Sequence, residues 1–393
     1  MLRQIVCFQI PTLHVALARL AEPRLRDRPV AVAPRSPRAV LAEASAEALA
    51  EGVYAGMALA RARVRCPSLR IISLNAETAH LAQRALRESV RRFAPVWEEP
   101  GPGRFYLDLT GTGRIFGRAV DAAARMEKEV AARSGLSGVA GVATNKLVSS
   151  IAANAILKPL DLCDVTPGAE KAFLAPRPVA ALPSLDRLYG GRTPELLGML
   201  NELDLVTLGK VAGTPLGHLE LVLGPRSRLM QQWAAGFDPT PVWPAALRPA
   251  REVSHTLDPD EVDDRALLAV LYGLTERICR QLRAAARLSR TVRLALIQTD
   301  GREFAGRAPL DRAAQWECEI YPRLEEIFFR LSRRRVRLRK MILRAEGLEE
   351  PEKQLALFPE SDSGENAKMR RLAAALDAVR SRYGENAVAW GAA

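Results

Sequence analysis

The sequence predicts an α+β protein built from several domains, and three observations carry this prediction. The chain has 393 residues, which is more than one small domain uses. Residues 4–155 alternate strand patterns with helical patterns, which describes a sheet with helices on one face. Residues 166–236 show short helical patterns broken by Pro and Gly, and residues 251–345 alternate again. The stretch 237–250 between them contains four prolines and is typical of a linker.

The individual elements follow from the spacing of apolar residues. In the first region, strands are predicted at 4–10, 30–33, 105–109 and 137–143, and helices at 13–21, 42–51, 76–93, 118–134 and 145–155. In the last region, strands are predicted at 252–258, 291–299 and 335–345, and helices at 263–288 and 317–330. Residues 346–368 are acidic and contain prolines, so they are expected to be loop-like.

Composition limits the classes of protein that fit. There are 57 Lys and Arg against 45 Asp and Glu, a net charge of +12, which suggests a polyanionic partner. Residues 277–344 hold 18 of the basic and 7 of the acidic residues, so nearly all of the excess lies there. There is no long apolar run and no signal-peptide pattern, so we expect a cytoplasmic protein and no membrane partner. The five cysteines are far apart and form no Cys/His cluster, which argues against zinc or iron–sulfur sites.

An arginine-rich strand is predicted near the end of the last region. In RRRVRLRKMIL, a period of two places arginines on one face and apolar residues on the other; the arginines are Arg335, Arg337 and Arg339, and the apolar residues are Val336, Leu338 and Ile342. Planar guanidiniums on a sheet face suit phosphate backbones, although a merely solvated face is the alternative. The concentration of charge favours DNA binding. The predicted DNA-binding residues are Arg293, Arg333, Arg334, Arg335, Arg337, Arg339 and Lys340.

A short apolar peptide, Gln354-Leu355-Ala356-Leu357-Phe358, lies inside the acidic C-terminal segment. Exposed apolar residues cost solubility unless something covers them. As an extended peptide this segment could dock into a partner pocket, with Leu355, Leu357 and Phe358 as anchors and Gln354 as a polar contact. The alternative is a short strand or helix that folds back onto its own domain.

Paired carboxylates are missing where a two-metal phosphoryl-transfer site would need them. Such a site needs acids on adjacent strand ends, which hold the ions ~4 Å apart. The first strand ends in Gln9, Ile10 and Pro11, and Gly101-Pro102-Gly103-Arg104 precedes the strand FYLDL. Asp108 is expected to cap the following turn, and Glu98 and Glu99 have no acidic partner on the first strand. No catalytic or metal site is therefore predicted.

The chain resembles the Y-family (translesion) DNA polymerases along nearly its whole length. The resemblance rests on five stretches in the family's order: LRDRPVAVAP, GVYAGMALARARVRCPSLRII, FYLDLTGTGRIFG, SGVAGVATNKLVSSIAA with Lys158-Pro159, and LDAVRSRYGENAV. The family implies a multidomain right-hand architecture. Its parts would be a palm (1–20 and 75–165), fingers (21–74), a helical thumb (166–240), a linker (241–250), a little finger that binds DNA (251–345) and a tail with the apolar peptide (346–393).

Several residues depart from the family's pattern. The metal-binding acids of its first strand would fall on Gln9 and Pro11, and its Ser-Leu-Asp-Glu motif on residues 101–104. The Tyr and Arg that bind the incoming triphosphate would fall on Ala46 and Leu49, and His14 stands where an aromatic ring screens out ribonucleotides. Lys158 is retained, and Leu182-Pro183-Ser184 lacks the glycines of the first thumb hairpin.

These departures make the chain similar to the ImuB subgroup, the non-catalytic members of the family. The similarity implies a hub for translesion synthesis that binds DNA, the sliding clamp, a RecA-like protein (ImuA) and an error-prone C-family polymerase. Gln354, Leu355, Leu357 and Phe358 would then form a clamp-binding peptide, and no cofactor would be needed. One alternative is a divergent active polymerase that uses Mg²⁺ with Glu98, Glu99 or Asp108; another is a basic nucleic-acid-binding protein with no role in DNA damage.

Overall fold

The computed structural model describes residues 2–34, 39–73, 76–156, 160–183, 185, 193–244, 250–299, 302–332, 336–351, 364–383 and 388. The chain divides into two compact units, Met1–Ala245 and Ala246–Ala393. Within the described ranges, no helix is both long and apolar enough to cross a membrane.

The first unit mixes short strands and helices. Its strands are β1 (Ile5–Gln9), β2 (Val30–Val32), β3 (Glu43–Ala44), β4 (Arg70–Ile72), β5 (Val96–Gly101), β6 (Arg104–Asp108), β7 (Val139–Ala143) and β8 (Leu162–Asp164). Its helices are α1 (Leu13–Ala21), α2 (Ala46–Ala50), α3 (Leu59–Arg65), α4 (Ala76–Val90), α5 (Gly113–Phe116), α6 (Ala119–Ser134), α7 (Lys146–Asn154), α8 (Glu170–Leu174), α9 (Thr193–Glu202), α10 (Leu208–Gly213), α11 (Leu216–Leu223) and α12 (Ser227–Ala234). All nine elements predicted for residues 4–155 are present, with shifted ends.

Five strands form the central sheet, in the order β5-β6-β1-β7-β8. The fully buried rings of Phe8 and Phe105 face α4 and α6, and each contributes about 1.5–3 kcal/mol through burial. The neighbouring residues Cys7 and Tyr106 point to the other face, where they pack with Ala153 of α7. The prediction of helices on one face is therefore wrong: the nearly continuous burial of IVCFQ already fits a strand covered on both sides.

The other elements of the first unit form two smaller layers. Strands β3-β2-β4 make a three-stranded sheet, whose core is closed by α2 and α3. Helices α8 to α12 pack on one another and on α7 around buried leucines such as Leu174, Leu208 and Leu219. This helical block contains no strand among its described residues, which agrees with the pattern of 166–236.

The predicted linker, 241–250, starts later than its proline content suggests. Val242 is buried against Cys7 and Tyr106 of the central sheet. The backbone N–H of Trp243 donates a 2.9 Å hydrogen bond to Glu98. Residues 241–244 therefore belong to the packed first unit, because Val and Trp supply burial that the prolines alone do not predict.

The second unit is a four-stranded antiparallel sheet with helices on one face. Its elements are β9 (Ala250–Glu261), α13 (Asp264–Ala284), β10 (Leu288–Gln298), β11 (Glu303–Ala314), α14 (Glu317–Leu331), β12 (Leu338–Glu349) and α15 (Gly364–Tyr383). The strand order is β11-β10-β12-β9, and we call this layer the C-terminal sheet. Helices α13 and α14 cover one face through a core that includes Leu271, Ile278, Leu324 and Phe328.

The expectation of a loop at residues 346–368 is wrong at both ends of that range. Strand β12 continues to Glu349, and residues 364–383 form α15. Two half-buried ion pairs fasten this helix to α13: Arg283 contacts Asp377 at 2.6 Å, and Arg380 contacts Glu276 at 3.0 Å. The spacing of apolar residues does not predict α15. This helix is held through charged side chains, and their partners lie about 100 positions earlier in the chain.

Candidate functional site

The end of β1 and the start of β6 lie side by side at the edge of the central sheet that is formed by the ends of its strands. The two strands are antiparallel, and their register places Gln9 opposite Arg104 and Cys7 opposite Tyr106. Side chains that are directly opposite in such a pair project from the same face. The family resemblance puts metal-binding acids at positions 9 and 104. The structure thus brings together the two residues that stand in place of those acids.

Gln9, Arg104 and Asn154 form a hydrogen-bonded network at this edge. Arg104 Nε donates to Gln9 Oε1 at 3.0 Å, and Gln9 Nε2 donates to Asn154 Oδ1 at 2.8 Å. A longer contact of 3.5 Å joins Arg104 Nη2 to the same Asn154 oxygen. Gln9 is only 7% exposed, so its amide is held in one orientation. The network is a neutral amide pair with one cation, where a metal site would have several negative charges.

The hairpin before β6 also excludes an acid at the preceding position. Gly103 has a φ of +67°, and its N–H donates a 2.8 Å hydrogen bond to Gln83 Oε1. A Cβ at Gly103 would lie 3.3 Å from the Cβ of Leu13 and 3.4 Å from the carbonyl oxygen of Ile10. The left-handed backbone and the close neighbours both favour glycine here.

His14 and Glu43 form a hydrogen-bonded pair near this edge. Glu43 Oε1 lies 2.7 Å from His14 Nδ1. Glu43 Oε2 accepts the backbone N–H groups of His14 and Val15 at 3.0 and 3.3 Å. The carboxylate therefore satisfies the first turn of α1 from outside the helix, where its charge also interacts favourably with the helix dipole. This bonding fixes Glu43 and His14 as structural partners.

An open cleft of about 460 Å³ lies above this network. Its lining combines the end of β1, the start of α1 and the β5–β6 hairpin, and the polar side chains in it include those of Gln9, Glu43, Arg104 and Asn154. The cleft is thus lined by one guanidinium, two amides and a carboxylate that is already bonded.

Glu98, one of the acids of the active-polymerase alternative, is held by a lysine. Its carboxylate lies 2.5 Å from Lys146 Nζ and accepts the N–H of Trp243 at 2.9 Å. The lysine also lies 4.9 Å from the centre of the Tyr106 ring. Both charged side chains are nearly buried, so separating them would leave an uncompensated charge.

The remaining two acids are also engaged in structural contacts. Glu99 forms a two-pronged pair with Arg87 of α4, in which Nη2 and Oε1 are 2.9 Å apart. Asp108 Oδ1 accepts the backbone N–H of Thr110 at 2.9 Å. The prediction that Asp108 caps the turn is confirmed.

The residues at the cleft do not fit a magnesium site. Mg²⁺ takes hard oxygen ligands in octahedral geometry, usually with carboxylates among them. No cluster of three or more His, Cys, Asp and Glu occurs in the described part of the chain. Burial raises the pKa of Cys7 to about 12, so this thiol stays protonated at neutral pH. The guanidinium of Arg104 would repel a cation, and we derive no metal-dependent step here.

The positions expected to bind a triphosphate lack charged groups. Ala46 is the first residue of α2, and Leu49 projects from the same helix with 53% exposure. Neither side chain can donate a hydrogen bond. Leu182 is buried, whereas Lys158 and Ser184 lie outside the described residues.

Three arginines lie side by side on the face of the C-terminal sheet that α13 and α14 do not cover, which we call the open face. Arg293 of β10 stands opposite Arg307 of β11 and Arg344 of β12. The core residues Val292 and Leu294 point to the helices, so the arginine row points away from them. Of these three, only Arg293 is among the DNA-binding residues predicted from the sequence. Arg307 was missed because EFAGRAPLDRAA shows no apolar alternation and β11 is an edge strand.

The predicted faces of β12 are partly wrong. The strand begins at Leu338, and its register slips between Leu338 and Lys340 against both neighbours. Leu338, Met341 and Leu343 consequently face the helices, whereas Ile342 lies opposite Ala295 on the open face. A bulge of this kind reverses the period of two, and the sequence pattern does not show where it occurs.

The predicted DNA-binding residues have different surroundings. Arg337 is exposed, Arg339 contacts Asp260 at 3.5 Å, and Lys340 lies beside Ile297 on the open face. Val336 is 38% exposed and does not belong to an apolar face. The others, Arg333, Arg334 and Arg335, lie outside the described residues, as do Gln354, Leu355, Leu357 and Phe358 of the apolar peptide.

Among the described residues, Glu303 and Glu346 are the acidic partners of the arginine row. The distances are 3.8 Å for Arg293 with Glu303, 3.4 Å for Arg307 with Glu346 and 3.2 Å for Arg344 with Glu346. Arg293 and Arg307 are exposed, and ion pairs of exposed side chains contribute roughly 0–1 kcal/mol, whereas the Arg344–Glu346 pair is partly buried. The two exposed guanidiniums can exchange a carboxylate for a stronger anionic partner at little cost.

Known proteins match the chain in both units. The model of the impB/mucB/samB family matches residues 11–154, and that of its C-terminal domain matches residues 252–357. A protein named DNA polymerase IV from Dehalococcoides mccartyi strain CBDB1 is 28% identical over 397 residues, with 99% of this chain and 97% of the relative covered. Another of that name, from Pelotomaculum thermopropionicum, is 28% identical over 387 residues, with 95% and 91% covered.

Solved structures share the fold. A Y-family DNA polymerase chimera of Dbh and Dpo4 has a TM-score of 0.68 at 18% identity, and the match covers 88% of this chain and all of the chimera. DinB from Sulfolobus solfataricus has a TM-score of 0.62 at 18% identity, with 87% and 98% covered. At this identity the likeness shows the palm, fingers and thumb architecture alone. Because the two family models together span more than half of the sequence, the chain belongs to the impB/mucB/samB family, the Y-family DNA polymerases.

Proposed function

We propose that this protein is a non-catalytic, ImuB-like member of the Y family, which binds DNA and the sliding clamp and recruits an error-prone polymerase. The observation that carries the proposal is the Gln9–Arg104 pair, which occupies the two strand positions of the metal-binding acids. Two-metal catalysis needs negative charge to hold the ions that stabilise the attacking and leaving oxygens. A guanidinium and an amide supply none, so the protein acts by binding.

A second candidate function is an active polymerase, because the full-length relatives carry the name DNA polymerase IV. This function would have to recruit Glu98, Glu99 or Asp108. Each of these carboxylates is already bonded, to Lys146, to Arg87 and to the Thr110 N–H respectively. Freeing Glu98 would break a nearly buried ion pair, which typically costs about 3–5 kcal/mol when one partner is lost.

Primer extension separates the two candidates. We expect the purified protein to bind a primed template but not to extend it, with Mg²⁺ or with Mn²⁺. An active Y-family polymerase in the same buffer is the positive control. Extension that disappears in Glu98→Gln, Glu99→Gln or Asp108→Asn would show that the protein is an enzyme and would overturn the proposal.

The open face of the C-terminal sheet is the proposed DNA-binding surface. Arg293, Arg307 and Arg344 stand in one row across three strands, and Lys340 lies on the same face. Contacts of this kind to phosphates carry little sequence information, which suits a protein that must act anywhere on DNA. Arg337 and Arg339 at the start of β12 extend the basic surface.

Alanine at Arg293, Arg307 and Arg344 should lower the affinity for DNA and make that affinity depend less steeply on salt concentration. For three lost phosphate contacts, the slope of log K against log salt should fall by about two to three. A matched control removes the same charge from the helix-covered side, with alanine at Arg312, Arg323 and Arg330; two of these form ion pairs with Glu319 and Asp311. Fluorescence anisotropy at several salt concentrations measures both variants. Equal losses in both would mean that net charge, and not this face, binds DNA.

The remaining partners follow from the apolar peptide and from the subgroup. Gln354, Leu355, Leu357 and Phe358 would bind the sliding clamp, while the C-terminal sheet holds DNA. Two weak contacts joined in one chain give avidity through a raised effective concentration. An error-prone C-family polymerase and the RecA-like ImuA would assemble on this hub, which places the protein at the nucleoid in the cytoplasm.

A further inference from the structure

We propose that the groove between α13 and α14 is a docking site for an amphipathic helix of a partner protein, and that α15 is the competing occupant within this chain. The partner helix would carry an apolar residue, an acid and an arginine at the spacing of Leu376, Asp377 and Arg380, which line the groove from α15. Such docking needs neither DNA nor the sliding clamp. It therefore goes beyond the proposed function and applies to a hub and to an active polymerase alike.

The groove has an aromatic floor, supplied by α13 and by the start of α14. Tyr272 of α13 and Tyr321 of α14 pack edge to face, with ring centres 5.1 Å apart. The guanidinium of Arg283 lies over the ring of Trp316, 5.0 Å from its centre. Together with Pro322, these rings line a cavity of about 210 Å³ next to α15. Apolar surfaces of this kind mark binding sites when they are uncovered, so the groove suits the apolar side of a helix.

Two charged contacts set the direction of the helix in the groove. Arg283 of α13 pairs with Glu317 of α14 at 2.9 Å and with Asp377 of α15 at 2.6 Å. Seven positions earlier on α13, Glu276 accepts a 3.0 Å hydrogen bond from Arg380. The acid of α15 thus contacts the later residue of α13 and its arginine contacts the earlier one, so the two helices are antiparallel. A partner helix must present its charges in the same order, which makes the site selective.

Helix α15 contributes little apolar burial, so another helix can replace it. Ala373 and Leu376 face the groove but are only partly buried, and no described residue of α15 belongs to the core that α13 and α14 share with the sheet. Leu372 and Val379 are exposed. Segments with few buried apolar contacts detach at a low free energy. Because a cavity remains beside α15, a helix that fills it would also pack better than α15 does.

Two double variants of the full chain test how α15 is held. Leu376→Ala with Arg380→Gln removes an apolar contact and a charged contact, and we call this protein the released variant. Leu372→Ala with Arg371→Gln makes the same changes at exposed positions of the same helix and is the matched control. Hydrogen exchange followed by mass spectrometry should show that α15 loses protection in the released variant and keeps it in the control. Both variants should stay folded, because these residues lie outside the core.

A fluorescein-labelled peptide of residues 364–383 is the probe for the groove. Its affinity for the released variant should be at least roughly tenfold higher than for the parent protein, because α15 occupies the groove of the parent most of the time. A peptide with Leu376→Ala and Arg380→Gln should bind the released variant at least roughly tenfold more weakly, since it lacks the anchors. A peptide with Leu372→Ala and Arg371→Gln should bind as the unchanged peptide does. Fluorescence anisotropy measures all three.

Glu276 locates the bound peptide. Adding Glu276→Gln to the released variant should weaken binding of the unchanged peptide, because Arg380 of the peptide loses its carboxylate partner. The same change should leave the affinity of an Arg380→Gln peptide unaltered, as expected when two side chains act as a pair. Equal losses for both peptides would place the peptide elsewhere and would overturn the proposal.

Three other results would also contradict a docking site. One is equal affinity of the unchanged peptide for the parent protein and for the released variant, and another is absence of binding to either. The third is full protection of α15 in both double variants. Dimerisation of the parent protein in sedimentation, lost in the released variant, would assign the groove to a second copy of this chain instead of a separate partner. None of these results bears on DNA or clamp binding, so the proposed function stands or fails independently.

Discussion

Alanine at Gln354, Leu357 and Phe358 together is expected to abolish capture of this protein by an immobilised sliding clamp, while its affinity for DNA stays unchanged. The apolar residues of the peptide lie inside an acidic, proline-flanked segment, Glu349 to Glu360. Because exposed apolar side chains are unfavourable in water, we expect a pocket of a partner protein to bury them. A few buried anchors dominate most peptide interfaces, and losing one typically costs about 2 kcal/mol or more. Loss of two anchors and the polar contact should therefore weaken binding at least roughly 100-fold.

A control with the same number of changes keeps this test specific. Alanine at Glu352, Lys353 and Glu360 alters the flanks and leaves the five residues of the peptide intact. This variant should bind the clamp as the parent does, and surface plasmon resonance measures both. If the anchor variant still bound the clamp with parental affinity, the hub proposal would lose its clamp contact. DNA binding in parallel shows that the C-terminal sheet is unaffected.

The palm illustrates what the sequence predicts and where prediction stops. Local periodicity is enough to place β1, β6 and the helices between them, and the missing acids are visible in single residues such as Gln9. The partnership of Gln9 with Arg104 is different, because it joins residues 95 positions apart through a cross-strand register. That register follows from packing of the whole sheet and is not encoded in either strand alone. Arg104 is therefore visible in the sequence, but its hydrogen bond to Gln9 is not.

The C-terminal sheet shows a second limit. The concentration of charge predicts that this region binds DNA, which stays a prediction, and the structure places the predicted residue Arg293 beside Arg344. The row that completes it was missed, since Arg307 lies in an edge strand with few buried residues and Arg344 follows a bulge. Edge strands and bulges are stabilised by neighbours distant in sequence, so a period-of-two reading fails at both.

Gly141→Ala should strongly destabilise the first unit, because this glycine lets α7 pack directly on the central sheet. A Cβ at Gly141 would lie 2.1 Å from the carbonyl oxygen of Ser149 and 2.5 Å from the N of Ala153. Both are backbone atoms of α7, so no side-chain rotation can relieve the overlap. The helix would have to move away, and with it the buried side chains of Val148 and Ile151. We expect a loss of about 3 kcal/mol, near the upper end for overpacking.

Gly198→Ala is the matched control, since it adds the same methyl group to a helical position of the same unit. Nothing lies within 4 Å of a Cβ at Gly198, and alanine favours helix by about 0.5–1 kcal/mol there. Urea unfolding followed by circular dichroism should therefore shift in opposite directions for the two variants. An unchanged midpoint for Gly141→Ala would mean that α7 stands further from the sheet than the structure places it.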